Sequence, residues 1–313
     1  MVLTARVIEI DKPVMTAIEA QPERVEIALR DVSVCYGNGA KRKTVLSHLD
    51  LDIYAGEFVA VLGETGCGKS TLLRMVLGQE FPTSGLICVD GKTVSRIDAR
   101  CGYVPQKYSL FPDRTMIENV MYGPENAKTG SLGWLGRLLP SYRAFKKRLK
   151  AEAEEQLLRM GLRATDLKKY PHQLSGGMQQ RVAIAQALMM RPPVLLMDEA
   201  FSALDPATRA SLQQQLREAW QQTRPTILFV THNTAEALLL GTRLLVLGQH
   251  SEGAKSNVVL DMPLPQSDEP VAVRKQSREF HELSEFVTRR AYGHSAGRAE
   301  KEVDADAVEE AAQ

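Results

Sequence analysis

The first residues whose types and spacing could do chemistry lie in the stretch 63–71, which reads GETGCGKST. The stretch fills every fixed position of G-x-x-x-x-G-K-[ST], a pattern in which glycines let successive backbone N–H groups surround a polyphosphate. In this pattern we expect Lys69 to reach the β- and γ-phosphates and Ser70 to hold Mg²⁺. Apolar runs on either side predict a buried strand before the stretch and a helix after it that ends at Gly78. The stretch therefore predicts a nucleotide site rather than an ordinary glycine-rich turn.

Two carboxylates, Asp198 and Glu199, follow a buried strand predicted over 194–197. In a phosphate-loop protein an acid at this place binds Mg²⁺, directly or through water, and a second acid can polarise the attacking water. A further apolar strand, predicted over 226–230, brings His232 to the same kind of position. That side chain could contact a γ-phosphate, although a lone histidine is more often structural.

Two other candidates are ambiguous when each is considered alone. Gln106 ends a short strand predicted over 102–105, where its amide could coordinate Mg²⁺ or orient a water, or simply be a polar loop residue. Tyr36 follows a strand with alternating apolar residues over 25–34. Its ring could stack on a nucleotide base, or it could be an ordinary tyrosine at a strand end.

The string LSGGMQQR over 174–181 predicts a second phosphate-binding feature. Ser175 can cap the helix that begins there, while Gly176 and Gly177 leave backbone N–H groups free. Together with the helix dipole, these groups make an anion site that needs no positive side chain. The helix is predicted from an apolar stripe at Met178, Val182, Ala185 and Met189.

Composition limits the class of protein. The chain has 313 residues, of which 44% are hydrophobic and 25% charged, which predicts one large α/β domain with an appendage. Its apolar runs are too short to span a bilayer and its start has no signal-peptide pattern, so we expect a cytoplasmic location. The four cysteines show no C-x-x-C spacing and are expected to be reduced, and a net charge of +1 gives no general case for nucleic-acid binding.

The segment 131–150 differs from the rest of the chain, because it has six Lys or Arg residues, several aromatic residues and no acid. It could touch lipid headgroups or a membrane partner, or it could be a solvated helical face with a small core of its own. Residues 278–292 predict a helix with Phe280, Leu283 and Val287 on one face. The residues beyond 293 are rich in Ala and Glu and are predicted to be disordered.

Taken together, these motifs resemble the ATP-binding subunit of an ABC transporter over roughly residues 25–247. GETGCGKS is similar to the Walker A motif, LSGGMQQR to the family signature, VLLMDE to Walker B and SALD to the D-loop. His232 is similar to the switch histidine, Tyr36 to the base-stacking aromatic residue and Gln106 to the Q-loop glutamine. The LFPDRT and HQLSGGMQQRVAIAQAL strings look most like the nitrate/sulfonate/taurine group of importer ATPases.

The resemblance implies an α/β fold, with a P-loop NTPase (RecA-like) core, an antiparallel β subdomain and an α-helical signature-motif subdomain. It divides the chain into an N-terminal extension (1–22), an ATPase domain (23–248) and a C-terminal appendage (249–313) with a disordered tail from about 293. The helical subdomain would cover about 110–190 and contain the basic insert 131–150.

The implied activity is hydrolysis of ATP with Mg²⁺. Glu199 would be the general base and His232 would link the γ-phosphate to the catalytic region. The metal would be held by Ser70, Gln106 and Asp198. The nucleotide would be bound by Tyr36, Gly63, Glu64, Thr65, Gly66, Cys67, Gly68, Lys69, Ser70, Thr71, Gln106, Ser175, Gly176, Gly177 and Asp205.

The implied partners are a second copy of the chain, transmembrane permease subunits and, through the permease, an extracytoplasmic solute-binding protein. Each ATP would lie between the Walker A motif of one copy and the signature motif of the other, on the cytoplasmic face of the membrane. A soluble ABC ATPase acting on nucleic acid or ribosomes is the alternative, but such proteins usually carry two cassettes or a long insertion. We therefore expect no nucleic-acid partner.

The chain departs from the usual family wording at three places. Ala200 replaces a proline, Asn233 replaces a common aspartate, and Glu64-Thr65 replaces Pro-Ser. None removes a group that is assigned to phosphate or metal, so activity is expected to survive.

Overall fold

The computed structural model describes residues 24–292 apart from gaps at 38, 40–41, 99, 108–109, 130–139, 203, 250–255, 268 and 270. The predicted N-terminal extension (1–22), most of the first half of the basic insert and the predicted tail from about 293 lie outside the described residues. Within the described ranges, the longest helices carry too many charges to form a membrane-spanning segment.

The described strands are β1 (Val25–Tyr36), β2 (Lys43–Tyr54), β3 (Phe58–Gly63), β4 (Ser84–Val89), β5 (Lys92–Thr93), β6 (Cys101–Val104), β7 (Val194–Asp198), β8 (Thr226–Thr231), β9 (Arg243–Leu247) and β10 (Val258–Pro263). The described helices include α1 (Lys69–Leu77), α2 (Met116–Thr129), α3 (Pro140–Arg159), α4 (Gly176–Met189), α5 (Pro206–Thr223), α6 (Thr234–Leu240) and α7 (Val271–Arg274). Residues 278–292 are also helical and are called the C-terminal helix below.

Two sheets organise the fold. A four-stranded antiparallel sheet has the order β2-β1-β4-β5, as predicted for the β subdomain. A six-stranded sheet has the order β10-β9-β3-β8-β7-β6, in which the strands from β9 to β6 are parallel and β10 is antiparallel. The carboxyl ends of parallel strands meet at one edge of a sheet, so β3, β6, β7 and β8 deliver their following loops to the same place.

Strand β3 is buried along its whole length because both of its faces are covered. Phe58, Ala60 and Leu62 point into a core shared with α4 and α5, while Val59 and Val61 point into a second core shared with α1 and the antiparallel sheet. A strand covered on both faces reads as a continuous apolar run, which is why the sequence predicted it. This rigid strand carries the phosphate loop.

Helices α2, α3 and α4 pack together on one side of the six-stranded sheet, as predicted for a helical subdomain. The predicted capping box at the start of α2 is present, since the Thr115 backbone N–H donates to Glu118 Oε2 at 2.9 Å. Residues 140–150 of the basic insert form the first half of α3. The predicted helix over 152–160 is therefore the second half of a longer helix, and the insert ends inside this helix rather than beside it.

The C-terminal region contributes more to the core than the sequence indicated. Strand β10 pairs with β9 and extends the main sheet beyond residue 248, where we placed the end of the ATPase domain. The predicted helix over 278–292 is confirmed, and its Val287 is fully buried. Both elements pack against the same core as Phe58.

Candidate active site

The phosphate loop turns between β3 and α1 by means of glycines with left-handed backbone angles. Gly66 has φ +85° and Gly68, which precedes α1, has φ +101°. A Cβ atom at Gly68 would lie 2.7 Å from Leu46 Cδ2, so this position leaves no space for a side chain. Glycine is the residue that adopts these angles without strain, and the loop therefore has the shape that the motif predicts.

Lys69 begins α1 and is almost completely buried, with 6% of its surface exposed. Its ammonium group donates to the backbone oxygens of Gly63 and Glu64, each at 2.7 Å. These bonds satisfy the buried charge and hold it inside the loop, where an incoming phosphate would meet it.

Cys67 belongs to the same loop, but its side chain faces the protein interior. It is 1% exposed and packs in the core shared by α1 and the antiparallel sheet. Burial raises the pKa of its thiol, so the group is neutral at pH 7. Any contact of Cys67 with a nucleotide would therefore be made by its backbone.

Ser70 and Asp198 bring two oxygen atoms together across the space between α1 and β7. The Ser70 hydroxyl donates to Asp198 Oδ1 at 3.1 Å. Asp198 is 8% exposed, and burial raises its pKa above the usual value. Hydroxyl and carboxylate oxygens are the ligands that Mg²⁺ prefers, so this pair fits the predicted metal.

Glu199, Gln106 and His232 come from three different strand ends and meet at one point. Gln106 Nε2 donates to Glu199 Oε2 at 2.8 Å, and His232 Nδ1 lies 3.4 Å from Glu199 Oε1. Glu199 has φ +46°, a left-handed angle that is unfavourable for a residue with a side chain. Its backbone N–H donates to Val230 O at 2.9 Å, which anchors this conformation on the neighbouring strand.

The phosphate loop and the side chains of Gln106, Glu199 and His232 line one cavity of about 560 Å³. It is lined by Val45, Thr65, Gly66, Gly68, Lys69, Ser70, Thr71, Arg74, Gln106, Glu199 and His232. Sequence reasoning predicted all of these residues except Val45 and Arg74. Val45 reaches the site from β2 of the other sheet, and Arg74 lies one turn into α1, so neither belongs to a recognisable motif.

Tyr36 lies beside the cavity at the end of β1 and is 43% exposed. Its hydroxyl donates to Glu80 Oε2 at 2.7 Å and lies 3.5 Å from Thr71 Oγ1 of the phosphate loop. Partial burial raises the pKa of this hydroxyl, which therefore stays protonated at neutral pH. The ring is thus fixed near the loop, and its stacking on a base stays a prediction.

The signature residues are elsewhere in the chain and do not line this cavity. The Ser175 hydroxyl accepts a hydrogen bond from the Met178 backbone N–H at 3.3 Å and caps α4, as predicted. Gly177 packs closely beneath Leu204, because an added Cβ would lie 3.3 Å from Leu204 Cδ2. Gly176, the first residue of α4, lies beside these two.

Asp205 is also outside the cavity, and the structure gives it a capping role. It is the N-cap of α5 and its Oδ1 accepts from the Thr208 backbone N–H at 3.0 Å. Hydrogen bonds from Thr208 hold the pKa of the Asp205 carboxyl below its usual value. Glu64, another predicted residue, lies within 3.3 Å of Gln249 Nε2 at the edge of the loop.

The structure accounts for two of the departures from the family wording. Asn233 is the N-cap of α6, where its Oδ1 accepts from the Glu236 backbone N–H at 3.2 Å. An asparagine serves this purpose as well as an aspartate. Ala200 is 2% exposed inside the main core, where its small side chain is packed without a polar contact.

Comparisons with known proteins agree with this geometry. The sequence profile of the family described as "ABC transporter" matches residues 46–202. The chain is 38% identical to the aliphatic sulfonates import ATP-binding protein SsuB of Burkholderia ambifaria, over 88% of this chain and 75% of that protein. It is also 38% identical to the spermidine/putrescine import ATP-binding protein PotA of Haemophilus ducreyi, over 74% of this chain and 57% of that protein.

These two relatives have the same identity but are named for different solutes, so the nitrate/sulfonate/taurine group is not singled out. Among solved structures, the fold is similar to a dimeric ATP-binding cassette in a post-hydrolysis state bound to ADP and Pi. That similarity has a TM-score of 0.63 and 28% identity, and covers 77% of this chain and all of the other. The predicted α/β fold with a P-loop core is confirmed. The chain belongs to the ABC transporter family, in which it is an ATP-binding subunit and an ATPase.

Proposed function

We propose that the chain powers the import of a small solute by forming a dimer that closes on ATP and opens after hydrolysis. The observation that carries this proposal is the meeting of Gln106, Glu199 and His232 beside Lys69 in one cavity. Relatives named for import support the direction of transport. The solute itself would be selected by permease subunits and an extracytoplasmic solute-binding protein.

In this proposal the residues of the site bind the phosphates, hold the metal or act on the attacking water. Lys69 and the loop N–H groups bind the β- and γ-phosphates, while Ser70 and Asp198, with Gln106, hold Mg²⁺. Bound Mg²⁺ would supply neutralisation of the charge that develops on the phosphate oxygens. Glu199 removes a proton from the water whose oxygen attacks the γ-phosphorus as the bond to the β-phosphate oxygen breaks. His232 orients the Glu199 carboxylate and contacts the γ-phosphate.

The second half of the site would come from another copy of the chain. Ser175, Gly176 and Gly177 form the start of α4, and none of them lines the cavity of the same chain. A helix N-terminus with a serine cap favours an anion. In a dimer the start of α4 would face the γ-phosphate bound by the partner, and the signature motif would bind that phosphate. The similar cassette of known structure is itself dimeric.

The decisive experiment is Glu199→Gln, which keeps the size and polarity of the side chain but removes its ability to accept a proton. We expect ATP hydrolysis to fall by at least about 100-fold, the usual contribution of a general base, while ATP binding is retained. The variant should accumulate as a dimer in the presence of ATP, as measured by light scattering after size-exclusion chromatography. The control is Glu218→Gln, an exposed position on α5. If Glu199→Gln hydrolyses ATP at the parent rate, Glu199 is not the base.

A further inference from the structure

The C-terminal helix touches the loop that carries His232 at two points. The Tyr292 hydroxyl donates a hydrogen bond to the backbone oxygen of His232 at 2.8 Å. One turn earlier, Thr288 Oγ1 lies 3.2 Å from Thr234 Oγ1, at the first residue of α6. The two contacts lie on either side of Asn233 and therefore span the whole turn between β8 and α6.

The C-terminal helix is firmly anchored where it makes these contacts. Val287 is fully buried and Ala291 is 8% exposed, and both belong to the core that contains Phe58 and Phe229. Phe280 and Leu283 pack against the same core from the earlier turns. Because β3 and β8 are the strands that carry the phosphate loop and His232, the helix is fixed relative to both halves of the cavity.

Tyr292 also lies close to the phosphate loop. Burial raises the pKa of its hydroxyl, with smaller contributions in the same direction from Cys67 and Glu64. The hydroxyl is therefore protonated at neutral pH and can donate to the His232 oxygen. A hydrogen bond to a backbone oxygen restricts the orientation of the peptide, and with it the direction in which the side chain of that residue leaves the backbone.

The side chain of His232 needs such a restriction. It is 56% exposed, and its Nδ1 lies 3.4 Å from Glu199 Oε1, which is longer than an ordinary hydrogen bond. The hydrogen bonds nearby hold the residues on either side of His232 and not its side chain. The Asn233 backbone N–H donates to Thr231 Oγ1 at 3.0 Å, and Thr231 Oγ1 donates to Glu236 Oε2 at 2.7 Å. The contact from Tyr292 acts on the peptide of His232 itself.

We propose that Tyr292, supported by Thr288, is a positioning residue for His232, so that docking of the C-terminal helix sets the rate of ATP hydrolysis. This inference rests on the proposed role of His232 in the cavity. It assigns the C-terminal helix a part in catalysis, in addition to covering the core. The part is played through the backbone, and it needs no contact between Tyr292 and the nucleotide.

The test is a double-mutant cycle on the full chain with Tyr292→Phe and His232→Ala. Tyr292→Phe removes one hydroxyl and keeps the buried ring. We expect kcat for ATP hydrolysis to fall about three- to tenfold, the change that the loss of one neutral hydrogen bond produces, with KM for ATP unchanged. In the His232→Ala background, the same change should have no further effect on the remaining rate. Tyr54→Phe, on β2, is the matched control and should leave kcat unchanged.

The possible outcomes separate the inference from the proposed function. If His232→Ala alone leaves kcat unchanged, the role assigned to His232 is wrong and the inference falls with it. If His232→Ala lowers kcat but Tyr292→Phe does not, only the inference is overturned. The same holds if Tyr292→Phe lowers kcat by the same factor in the parent and in the His232→Ala background. If Tyr292→Phe fails to fold, Thr288→Val takes its place, because Thr288 is exposed and contacts the same turn. It should then show a smaller loss of kcat that also disappears with His232→Ala.

Discussion

Lys69 holds its ammonium group against two backbone oxygens of the phosphate loop, and a bound phosphate would take over part of that role. Removing the side chain with Lys69→Ala deletes a buried charge-assisted contact to the phosphates. We expect ATP affinity to fall about 10- to 100-fold, as for other hydrogen bonds to charged groups. Isothermal titration calorimetry with ATP and Mg²⁺ measures this. Lys92→Ala, an exposed lysine on β5, is the control, and an unchanged Kd for Lys69→Ala would contradict the assignment.

Gln106 connects the cavity to the helical subdomain. Its amide donates to Glu199 Oε2, and it precedes the segment that leads to Phe111 and α2. We expect Gln106→Ala to reduce solute uptake by more than it reduces ATP binding. The substitution removes the hydrogen bond from the Gln106 amide to Glu199, while the phosphate loop stays intact. Uptake into vesicles reconstituted with the permease, compared with ATP affinity of the same preparation, measures the ratio. Uptake equal to that of the parent would refute a coupling role.

The residues of the cavity differ in how far sequence could predict them. Lys69, Ser70 and Glu199 lie in strings whose spacing is tied to the turn that follows a buried strand, so their places were predictable. Val45 and Arg74 have no such spacing, since they reach the cavity only when the antiparallel sheet and α1 pack together. The hydroxyl of Tyr36 bonds to Glu80, a contact between distant residues that no local pattern indicates.

At the scale of elements, the apolar runs that form β3, β7, β8 and β9 were predicted because both faces of each strand are covered. Strand β10 was missed for the opposite reason. It lies at the edge of the sheet, is only partly buried, follows a stretch that contains Gly and Ser and ends at Pro263, so its short apolar run does not stand out. For the first half of α3 a helical face was one of two alternatives for the basic insert, but its continuity with the helix predicted over 152–160 was missed, because Lys and Arg residues dilute the apolar stripe.

Gly78 ends α1 with φ +80°, and a Cβ there would lie 2.3 Å from the backbone oxygen of Arg96. Gly91, in the turn between β4 and β5, has φ +69° but open space around it. We expect Gly91→Ala to lower the free energy of unfolding by about 1 kcal/mol, the cost of a left-handed angle. Gly78→Ala should lower it by about 2–4 kcal/mol, because crowding adds to the same cost. Urea unfolding of both variants measures these free energies. Equal losses of unfolding free energy would show that the backbone at Arg96 moves to make room for the new side chain.

At the scale of the whole molecule, the described residues place the capped start of α4 outside the nucleotide cavity, although both features have the chemistry to bind phosphate. The sequence predicted the phosphate-binding character of the signature string, and only the resemblance to the family implied that the string acts on the nucleotide of another copy. In the proposed dimer, a second copy would bring the start of α4 to the cavity, so a complete site would depend on the assembly of two chains. A variant that hydrolyses ATP as a strict monomer would contradict this arrangement.

The first half of α3 presents a basic face whose charges are only partly paired. Lys146 Nζ lies 3.4 Å from Glu125 Oε1, and Lys150 Nζ lies 4.0 Å from Glu154 Oε1. The exposed side chains of Arg143, Lys147 and Arg148 have no such ion pair among the described residues. They are therefore better targets than Lys146 for asking whether the insert contacts an anionic surface.

Each lysine or arginine that reaches an anionic leaflet adds about 1 kcal/mol to binding at low salt, and salt screens this attraction within about 10 Å at 0.1 M. We expect the combined change of Arg143, Lys147 and Arg148 to Gln to weaken flotation with vesicles that contain anionic lipid, and to leave the ATPase rate unchanged. The matched control changes Lys43, Lys92 and Arg96 to Gln, three exposed cations near the antiparallel sheet. The difference in flotation between the two triple variants should shrink as salt is raised, because salt screens the attraction of exposed charges to the anionic vesicles. If both variants and the parent float equally at low salt, the basic face of α3 is a solvated helical surface with no role at the membrane.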